Sequence, residues 1–131
     1  MINKNFAVTD LINQGKDKHN SIIRLSDSRD IYRSYMNSED LIRWLLKILS
    51  SSNKKCDVYN VGSNQAITIV KLAKIIAKYF NKSVKIKTKA RRNQSIDYYV
   101  PSISKAKRKL NLKLNFTLNK SINQLLNFKD I

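Results

Sequence analysis

The sequence contains only two glycines among its 131 residues, Gly15 and Gly62, and they lie far apart. Phosphate-binding loops need glycines close together, because their backbone turns sharply and approaches the phosphate where a Cβ would intrude. The dinucleotide loop has three glycines within six residues, and the nucleoside triphosphate loop has two in front of a lysine. This chain therefore contains neither loop, and any nucleotide that it binds must be held in another way.

Cysteine and histidine are also scarce, with one residue of each, Cys56 and His19. A single cysteine excludes an internal disulfide framework, and one residue of each type does not make a Cys/His zinc site within the chain. We therefore predict no metal site. Apolar runs are too short to cross a membrane, and residues 1–9 lack the long apolar stretch of a signal peptide. The expected compartment is the cytoplasm, with no membrane partner.

Positive charge is concentrated in the second half of the chain. Residues 1–70 hold ten basic and seven acidic side chains, whereas residues 71–131 hold 16 basic and two acidic ones. This local net charge of +14 favours a polyanionic partner or a phosphorylated ligand. It is also what a lysine-rich composition produces without any function. No zinc finger, basic-zipper heptad or RNA-binding aromatic motif is present, so a nucleic-acid-binding module remains an alternative only.

Hydrophobic periodicity predicts short strands scattered among helices in the first half of the chain. The expected elements are a helix over 6–14, strands over 21–25 and 32–36, a turn over 26–30 and a helix over 38–50. Gly15 should end the first helix, and Ser38 should cap the last one. Apolar residues surround most of that last helix, including Trp44, which indicates deeper burial than a surface helix has.

The second half continues in the same way. The expected elements are a strand over 57–61, a helix over 69–80, a strand over 84–88 and helices over 103–110 and 118–126. Thr68, Ser102 and Thr117 should be the three N-caps, and residues 89–101 should be irregular. Strands separated by helices indicate a parallel or mixed sheet. Four short strands are too few for a sheet covered on both faces, so the chain should be part of a larger α/β unit.

Four segments of the sequence, taken in order, resemble a known family. They are Arg33–Ser34–Tyr35–Met36 with Glu39–Asp40–Leu41, Tyr59–Asn60–Val61–Gly62–Ser63, the helix Ile69–Tyr79, and Tyr99–Val100–Pro101–Ser102–Ile103–Ser104–Lys105–Ala106. Their order and spacing are similar to the C-terminal part of the NAD-dependent epimerase/dehydratase family, the extended short-chain dehydrogenases that act on nucleotide sugars. The resemblance covers nearly the whole chain, from about residue 6 to residue 128.

This resemblance implies an α/β fold: the C-terminal part of a Rossmann-type extended short-chain dehydrogenase. That part comprises the last helix and strand of the sheet and the small substrate-binding lobe. Residues 1–131 would then be a single incomplete domain, with the NAD-binding N-terminal part absent. The resemblance also implies that Arg33 and Arg92 bind the diphosphate of a nucleoside diphosphate sugar. Guanidinium groups suit this role, because they bind phosphate oxygens in a bidentate way.

The family's chemistry also requires NAD and a Tyr-x-x-x-Lys pair, in which the tyrosine removes a proton and the lysine lowers its pKa. No tyrosine of this sequence has a lysine four positions later. The residues found there are Met36, Glu39, Ser63, Ser83, Ser102 and Ile103. We therefore expect no catalytic residue and no cofactor-binding residue in this chain, and no catalysis by the chain alone.

The sequence departs from the family's pattern mainly at turns. Ser26–Asp27–Ser28 stands in place of a Gly-Asp-Gly turn, and Asn111 in place of the glycine that follows Leu110. Both replacements put the turn geometry in question, because glycine adopts backbone angles that other residues avoid. Ser102 stands in place of an aspartate, which is expected to weaken the cap of the next helix.

We predict a truncated or split nucleotide-sugar epimerase or dehydratase that retains its substrate-binding region and serves polysaccharide biosynthesis. The expected partners are a nucleoside diphosphate sugar and a separate chain carrying the Rossmann domain. The sugar, the nucleotide and the choice between epimerase and dehydratase stay open. The alternatives are the basic nucleic-acid-binding module and a degenerate gene product without activity. Because strand 57–61 lacks its sheet neighbours, the isolated chain should be marginally stable or should associate.

Overall fold

A computed structural model describes residues 7–27, 31–88 and 96–127 of the chain. The helices in these ranges are α1 (Ala7–Lys16), α2 (Ser38–Ser50), α3 (Ile69–Tyr79), α4 (Ser104–Leu110) and α5 (Leu118–Asn127). The strands are β1 (Ile22–Asp27), β2 (Ile31–Arg33), β3 (Ile67–Thr68), β4 (Ser83–Thr88) and β5 (Asp97–Tyr99). The fold is mixed α/β, as the sequence predicts. None of these helices is long and apolar enough to span a membrane.

The larger of two hydrophobic cores is built around α3. Thr68 caps this helix as predicted, because its hydroxyl accepts a hydrogen bond of 3.2 Å from the backbone N–H of Lys71. The apolar face of α3 packs against α1, against α5 and against the parallel pair of β1 and β4. We call this the first core; its buried members are Leu11, Ile12, Ile23, Leu25, Ile67, Leu72, Ala73, Ile76, Ala77 and Ile122.

The smaller core lies between α2 and α4 and is called the second core. Its buried members are Trp44, Ile103, Ala106 and Leu112. The indole N–H of Trp44 donates a hydrogen bond of 3.0 Å to the carbonyl of Lys113. The fully buried carboxylate of Asp40 accepts two backbone N–H groups, from Asn115 and Phe116, and the side-chain amide of Asn115. These bonds fix the inner face of α2 to the segment that follows α4.

A three-stranded mixed sheet has the order β3, β2, β5. Strand β2 runs parallel to β5, with Arg33 opposite Tyr99, and antiparallel to β3, with Arg33 opposite Ile67. Strand β5 lies inside the segment 89–101, which the sequence predicts to be irregular, so that prediction is wrong for these three residues. The sheet brings the arginine-bearing segment next to the segment that leads into α4.

The predicted strand over 57–61 is wrong. These residues form no strand, because no other described strand lies beside them to complete a hydrogen-bonded ladder. Instead, the ammonium group of Lys105 donates a hydrogen bond of 2.9 Å to the carbonyl of Val58 and forms an ion pair with Asp57. The Val58 residue itself is 79% exposed.

Two glycine-related expectations are also corrected. Gly15 lies inside α1 rather than after it, and a Cβ at this position would lie 2.3 Å from Cδ2 of Phe80. Its role is therefore close packing of α1 against the end of α3. Asn111 follows α4 with φ 52° and ψ 36°, the left-handed conformation that ends many helices. Asparagine supplies the turn for which the family pattern has glycine.

Two of the predicted helix caps are wrong as well. The N-cap of α2 is Asn37 rather than Ser38, because the Asn37 side chain accepts a hydrogen bond from the backbone N–H of Glu39. The same side chain donates to Ser121 and Gln124 on α5, which Ser38 is too short to do. The N-cap position of α4 is Ile103, which has no side-chain cap, and Ser102 lies one residue before it.

Candidate functional site

An open cavity of about 610 Å³ lies beside the three-stranded sheet. Its lining residues are Ser34, Met36, Tyr59, Asn60, Val61, Gly62, Ser63, Tyr98, Tyr99, Val100 and Pro101. Three of the four segments that carry the family resemblance therefore meet here, although they are far apart in the sequence. Cavities of this size accept small organic ligands.

Close backbone packing holds two of these segments together. Gly62 lies against Pro101, and a Cβ on Gly62 would come within 2.7 Å of the proline ring. The side-chain amide of Asn60 donates a hydrogen bond of 3.1 Å to the carbonyl of Ser102. Ser63 is buried, and its hydroxyl accepts a hydrogen bond from the backbone N–H of Gln65. This wall of the cavity is thus fixed by the fold itself.

Arg33 is the last residue of β2, directly before the cavity-lining Ser34. Its guanidinium donates two hydrogen bonds to the carboxylate of Asp97, of 3.0 Å and 2.7 Å. It also donates to the carbonyls of Tyr32, at 2.8 Å, and Asp97, at 3.4 Å. The hydrogen bonds to Asp97 raise the pKa of Arg33 above its usual value. Arg33, the residue predicted to bind phosphate, is therefore held at the end of β2 next to the lining residue Ser34 in the chain, and its paired donors bind a carboxylate in this structure.

Arg92, the second predicted phosphate ligand, lies outside the described residues. The prediction that it and Arg33 act together therefore remains a prediction. The chain runs from β4 through this segment into β5, where Asp97 contacts Arg33. Both ends of the segment are thus fixed in the described structure, one at each sheet.

Two tyrosines near Arg33 have different environments. Burial raises the pKa of Tyr35 above its usual value, while the nearby Arg33 opposes this shift. Tyr35 packs against the first core and does not line the 610 Å³ cavity. Tyr98 lines that cavity, is exposed, and places its ring centre 5.5 Å from that of Tyr32.

Basic side chains of α4 lie next to the same segments. Lys105 places its ammonium group 5.0 Å from the ring centre of Tyr59 and 3.0 Å from the carboxylate of Asp57. Lys109 pairs with Asp57 as well, at 3.5 Å. Hydrogen bonding from Lys105 holds the pKa of Asp57 below its usual value. These contacts are structural, because they fix residues 57–59 to α4.

The residues present do not fit an NAD site of the family's type. Both glycines of the chain lie in tight packing contacts, against Phe80 and Pro101, so neither belongs to a phosphate-binding loop. Within the described ranges, no group of three or more His, Cys, Asp or Glu side chains is arranged to hold a metal ion. The hydrogen-bonding side chains of this region include the guanidinium of Arg33 and the hydroxyl groups of the lining serines and tyrosines.

Sequence reasoning missed two acidic residues of this region. No role of its own is predicted for Asp40 from the sequence, but it is buried and binds the backbone after α4. Its place in the resemblance segment was the signal that could have found it. Asp97 carries no such signal, because its contact with Arg33 depends on the parallel pairing of β2 and β5.

Comparison with solved structures finds the same fold within longer proteins, among them an epimerase and a dehydratase. RMD from Pseudomonas aeruginosa, complexed with NADPH, is 19% identical with a TM-score of 0.77, and the match covers 95% of this chain and 42% of that one. UDP-glucose 4-epimerase from Thermotoga maritima, with UDP-glucose, is 16% identical with a TM-score of 0.74, covering 95% and 39%. The dTDP-glucose 4,6-dehydratase from Bacillus anthracis, in complex with NAD, is 14% identical with a TM-score of 0.75, covering 94% and 38%.

The sequence alone gives no comparable match. No protein-family model matches it, and no curated protein matches it. The chain therefore has the fold of the C-terminal part of epimerases and dehydratases, and it spans about 40% of the length of the solved structures that it matches. The predicted fold class is confirmed at that level.

Proposed function

We propose that this chain is the substrate-side part of a nucleotide-sugar epimerase or dehydratase and binds a nucleoside diphosphate sugar through Arg33 and Arg92. In this proposal the protein is cytoplasmic and serves polysaccharide biosynthesis. The sugar lies toward the 610 Å³ cavity, and the diphosphate lies at the guanidinium groups. No catalytic step is assigned to residues of this chain.

One observation carries the proposal. Three of the four segments that resemble the family line a single cavity, and Arg33, the last residue of β2, directly precedes the lining residue Ser34. A diphosphate is well matched to guanidinium groups from separate elements, because each group offers a planar pair of N–H donors. The fold match to a UDP-glucose 4-epimerase and a dTDP-glucose 4,6-dehydratase supports the same ligand class.

The outer face of α2 supports the view that further polypeptide belongs to the functional unit. Leu41, Ile42, Leu45, Leu46 and Leu49 are all exposed on it. Contiguous apolar surface of this kind marks an interaction site. About 60% of the length of these matched structures lies outside the part that this chain covers. We therefore propose that α2 docks onto the NAD-binding portion of such an enzyme, which would supply NAD and the Tyr-x-x-x-Lys pair.

Calorimetric titration with UDP and dTDP tests the proposed function. The wild-type chain should bind at least one of the two, and Arg33→Ala should weaken binding about tenfold or more, because charge-assisted hydrogen bonds are lost. Arg33→Lys should also bind more weakly, since an ammonium group lacks the bidentate geometry. Arg92→Ala should have an effect of the same direction.

Arg43→Ala is the matched control. Arg43 lies on α2, pairs with Glu39 at 3.6 Å and does not line the cavity, so its loss should leave nucleotide binding unchanged. Titration with DNA at several salt concentrations distinguishes the proposed nucleotide-sugar site from the alternative, a basic nucleic-acid-binding module. A nucleic-acid-binding module would bind DNA with a steep salt dependence and equally well after Arg33→Ala. A folded wild-type chain that binds neither nucleotide would refute the proposed function.

A further inference from the structure

We propose that the Asp97 carboxylate is an internal competitor for the phosphate at Arg33 and thereby lowers the affinity of the site for a nucleoside diphosphate. This inference rests on the proposed function, because it takes Arg33 to be a phosphate ligand. Asp97 is not among the binding residues that the family resemblance implies, and the role proposed for it is to set the affinity.

The geometry of the contact is that of an anion in a guanidinium site. Nη1 and Nη2 of Arg33 donate to the two carboxylate oxygens of Asp97, at 3.0 Å and 2.7 Å. Phosphate oxygens bind arginine through the same pair of parallel N–H groups. A carboxylate and a phosphate cannot bind this pair of donors together, because the two N–H groups accommodate one anion and because the two anions repel each other. Binding of a diphosphate along this edge therefore requires Asp97 to leave.

The exposure of the two side chains allows this exchange. The Asp97 side chain is 55% exposed and that of Arg33 is 32% exposed. A displaced carboxylate can therefore be hydrated at once, and ion pairs this exposed are weak in water. The competition is thus modest in size: it tunes the affinity rather than blocking the site.

Arg33 does not depend on the Asp97 carboxylate alone for its position. Nη1 also donates to the backbone carbonyl of Tyr32, at 2.8 Å, and to that of Asp97, at 3.4 Å. Both carbonyls belong to paired strands, since β2 and β5 run in parallel register with Ile31 opposite Asp97 and Arg33 opposite Tyr99. Loss of the carboxylate therefore leaves the guanidinium in place and frees the N–H groups of Nη1 and Nη2 that the carboxylate had bound.

The test is calorimetric titration of the full chain with UDP, comparing wild type with Asp97→Asn. Because the pair is exposed, the variant should bind UDP about two- to fivefold more tightly. Asp10→Asn is the control with the same change of net charge; Asp10 is exposed on α1, where it accepts a hydrogen bond from Gln14. This control should bind UDP like wild type. Asp97→Ser, also uncharged and suited to an exposed strand, repeats the test if the asparagine variant fails to fold.

A second comparison shows whether the effect acts through Arg33. In the Arg33→Ala background, Asp97→Asn should give no gain in UDP affinity beyond that of Asp10→Asn, because the competition has lost its target. A gain of the same size in both backgrounds would overturn the inference and indicate a general charge effect.

The remaining outcomes separate the inference from the proposed function. If wild type binds UDP through Arg33 but Asp97→Asn binds equally or more weakly, Asp97 orients the arginine and only the inference fails. If the folded wild type binds dTDP but not UDP, the same comparison is made with dTDP. If the folded wild type, Asp97→Asn and Asp97→Ser bind neither nucleotide, the proposed function fails and the inference with it.

Discussion

Helices α2 and α3 have similar apolar content but are covered very differently. On α3, Leu72 and Ile76 are completely buried, and four of the eleven residues belong to the first core. On α2, Trp44 is the one buried apolar residue, while Leu46 and Leu49 are 60% and 68% exposed. The periodicity of each helix predicts burial, but only α3 meets its partners within the described part of the chain. The sequence of an apolar helix face thus indicates that another surface should pack against it, and only the fold shows whether that surface belongs to the described part of the chain.

The two helices also differ in what holds them. Helix α3 is stabilised by apolar packing on one face, with lysines along the other. Helix α2 is attached by specific polar contacts, since Asp40 and the Trp44 indole bind the backbone after α4. The first core is therefore the element that should carry most of the stability, and the second core fixes the geometry of α2.

The largest expected effect comes from a matched pair of leucine substitutions. Leu72→Ala removes a fully buried side chain and should reduce the free energy of unfolding by about 2–5 kcal/mol, whereas Leu46→Ala should reduce it by less than about 1 kcal/mol. Urea unfolding followed by circular dichroism measures both. If Leu72→Ala does not fold, Ile76→Val should still cost about 0.5–1.5 kcal/mol. Equal losses for Leu72→Ala and Leu46→Ala would mean that α2 is covered in solution.

The next effect concerns Asp40 and its neighbour Glu39, two carboxylates in the first turn of α2. Asp40→Ala leaves the partly buried N–H groups of Asn115 and Phe116 without their acceptor, which should reduce the free energy of unfolding by about 3 kcal/mol. Asp40→Asn should cost less, because the amide keeps one acceptor oxygen. Glu39→Gln, at an exposed position, should change stability by less than about 0.5 kcal/mol. A similar loss at both positions would attribute the effect to the helix dipole instead.

A smaller effect is expected on the outer face of α2. Without the NAD-binding portion, copies of the chain should associate through this face, as analytical ultracentrifugation at increasing concentration would show. Leu46→Lys should weaken the association by about 1 kcal/mol, or about fivefold, because a half-exposed leucine no longer contributes its apolar surface. Lys71→Ala, on the exposed side of α3, is the control and should leave the association unchanged. A monomer at every concentration, with a sharp cooperative thermal transition, would contradict the expected self-association.

The sequence predicted elements whose partners are local or whose pattern is regular. The limits of α3 and the cap at Thr68 follow from the spacing of apolar residues and from one hydroxyl, and both are confirmed. Strand β4 alternates lysine with apolar residues, and it pairs with β1 as a half-buried strand. These features depend on a few neighbouring residues, so the sequence contains the information directly.

Features that depend on distant residues were not predictable in the same way. Strand β5 exists because β2 offers a parallel edge, and its residues have no period of their own to show it. Residues 57–61 have strand-like composition but lack a described neighbour to pair with. Arg33 was selected from its motif, and its binding of phosphate stays a prediction, whereas its contact with Asp97 could be found only from the fold.

The smallest expected effect is the pH dependence of the ion pairs that join Asp57 to α4. The pKa of Asp57 is lowered by hydrogen bonding from Lys105, so the folded state favours the charged carboxylate. A lowered pKa stabilises the folded chain above the usual value of 3.8, and this contribution disappears as the pH falls through the lower, folded-state pKa. Asp57→Asn should therefore have a lower urea midpoint than wild type at pH 7, and the difference should shrink as the pH falls below 3.8 and through the lower, folded-state pKa. Asp10→Asn measures the general effect of removing a carboxylate from a strongly basic chain.

A difference between Asp57→Asn and wild type that persists unchanged in acid would mean that the loss of stability comes from the exchange of the side chain and not from the loss of its charge. A difference no larger than that of Asp10→Asn would show that residues 57–59 are held to α4 by packing rather than by their ion pairs.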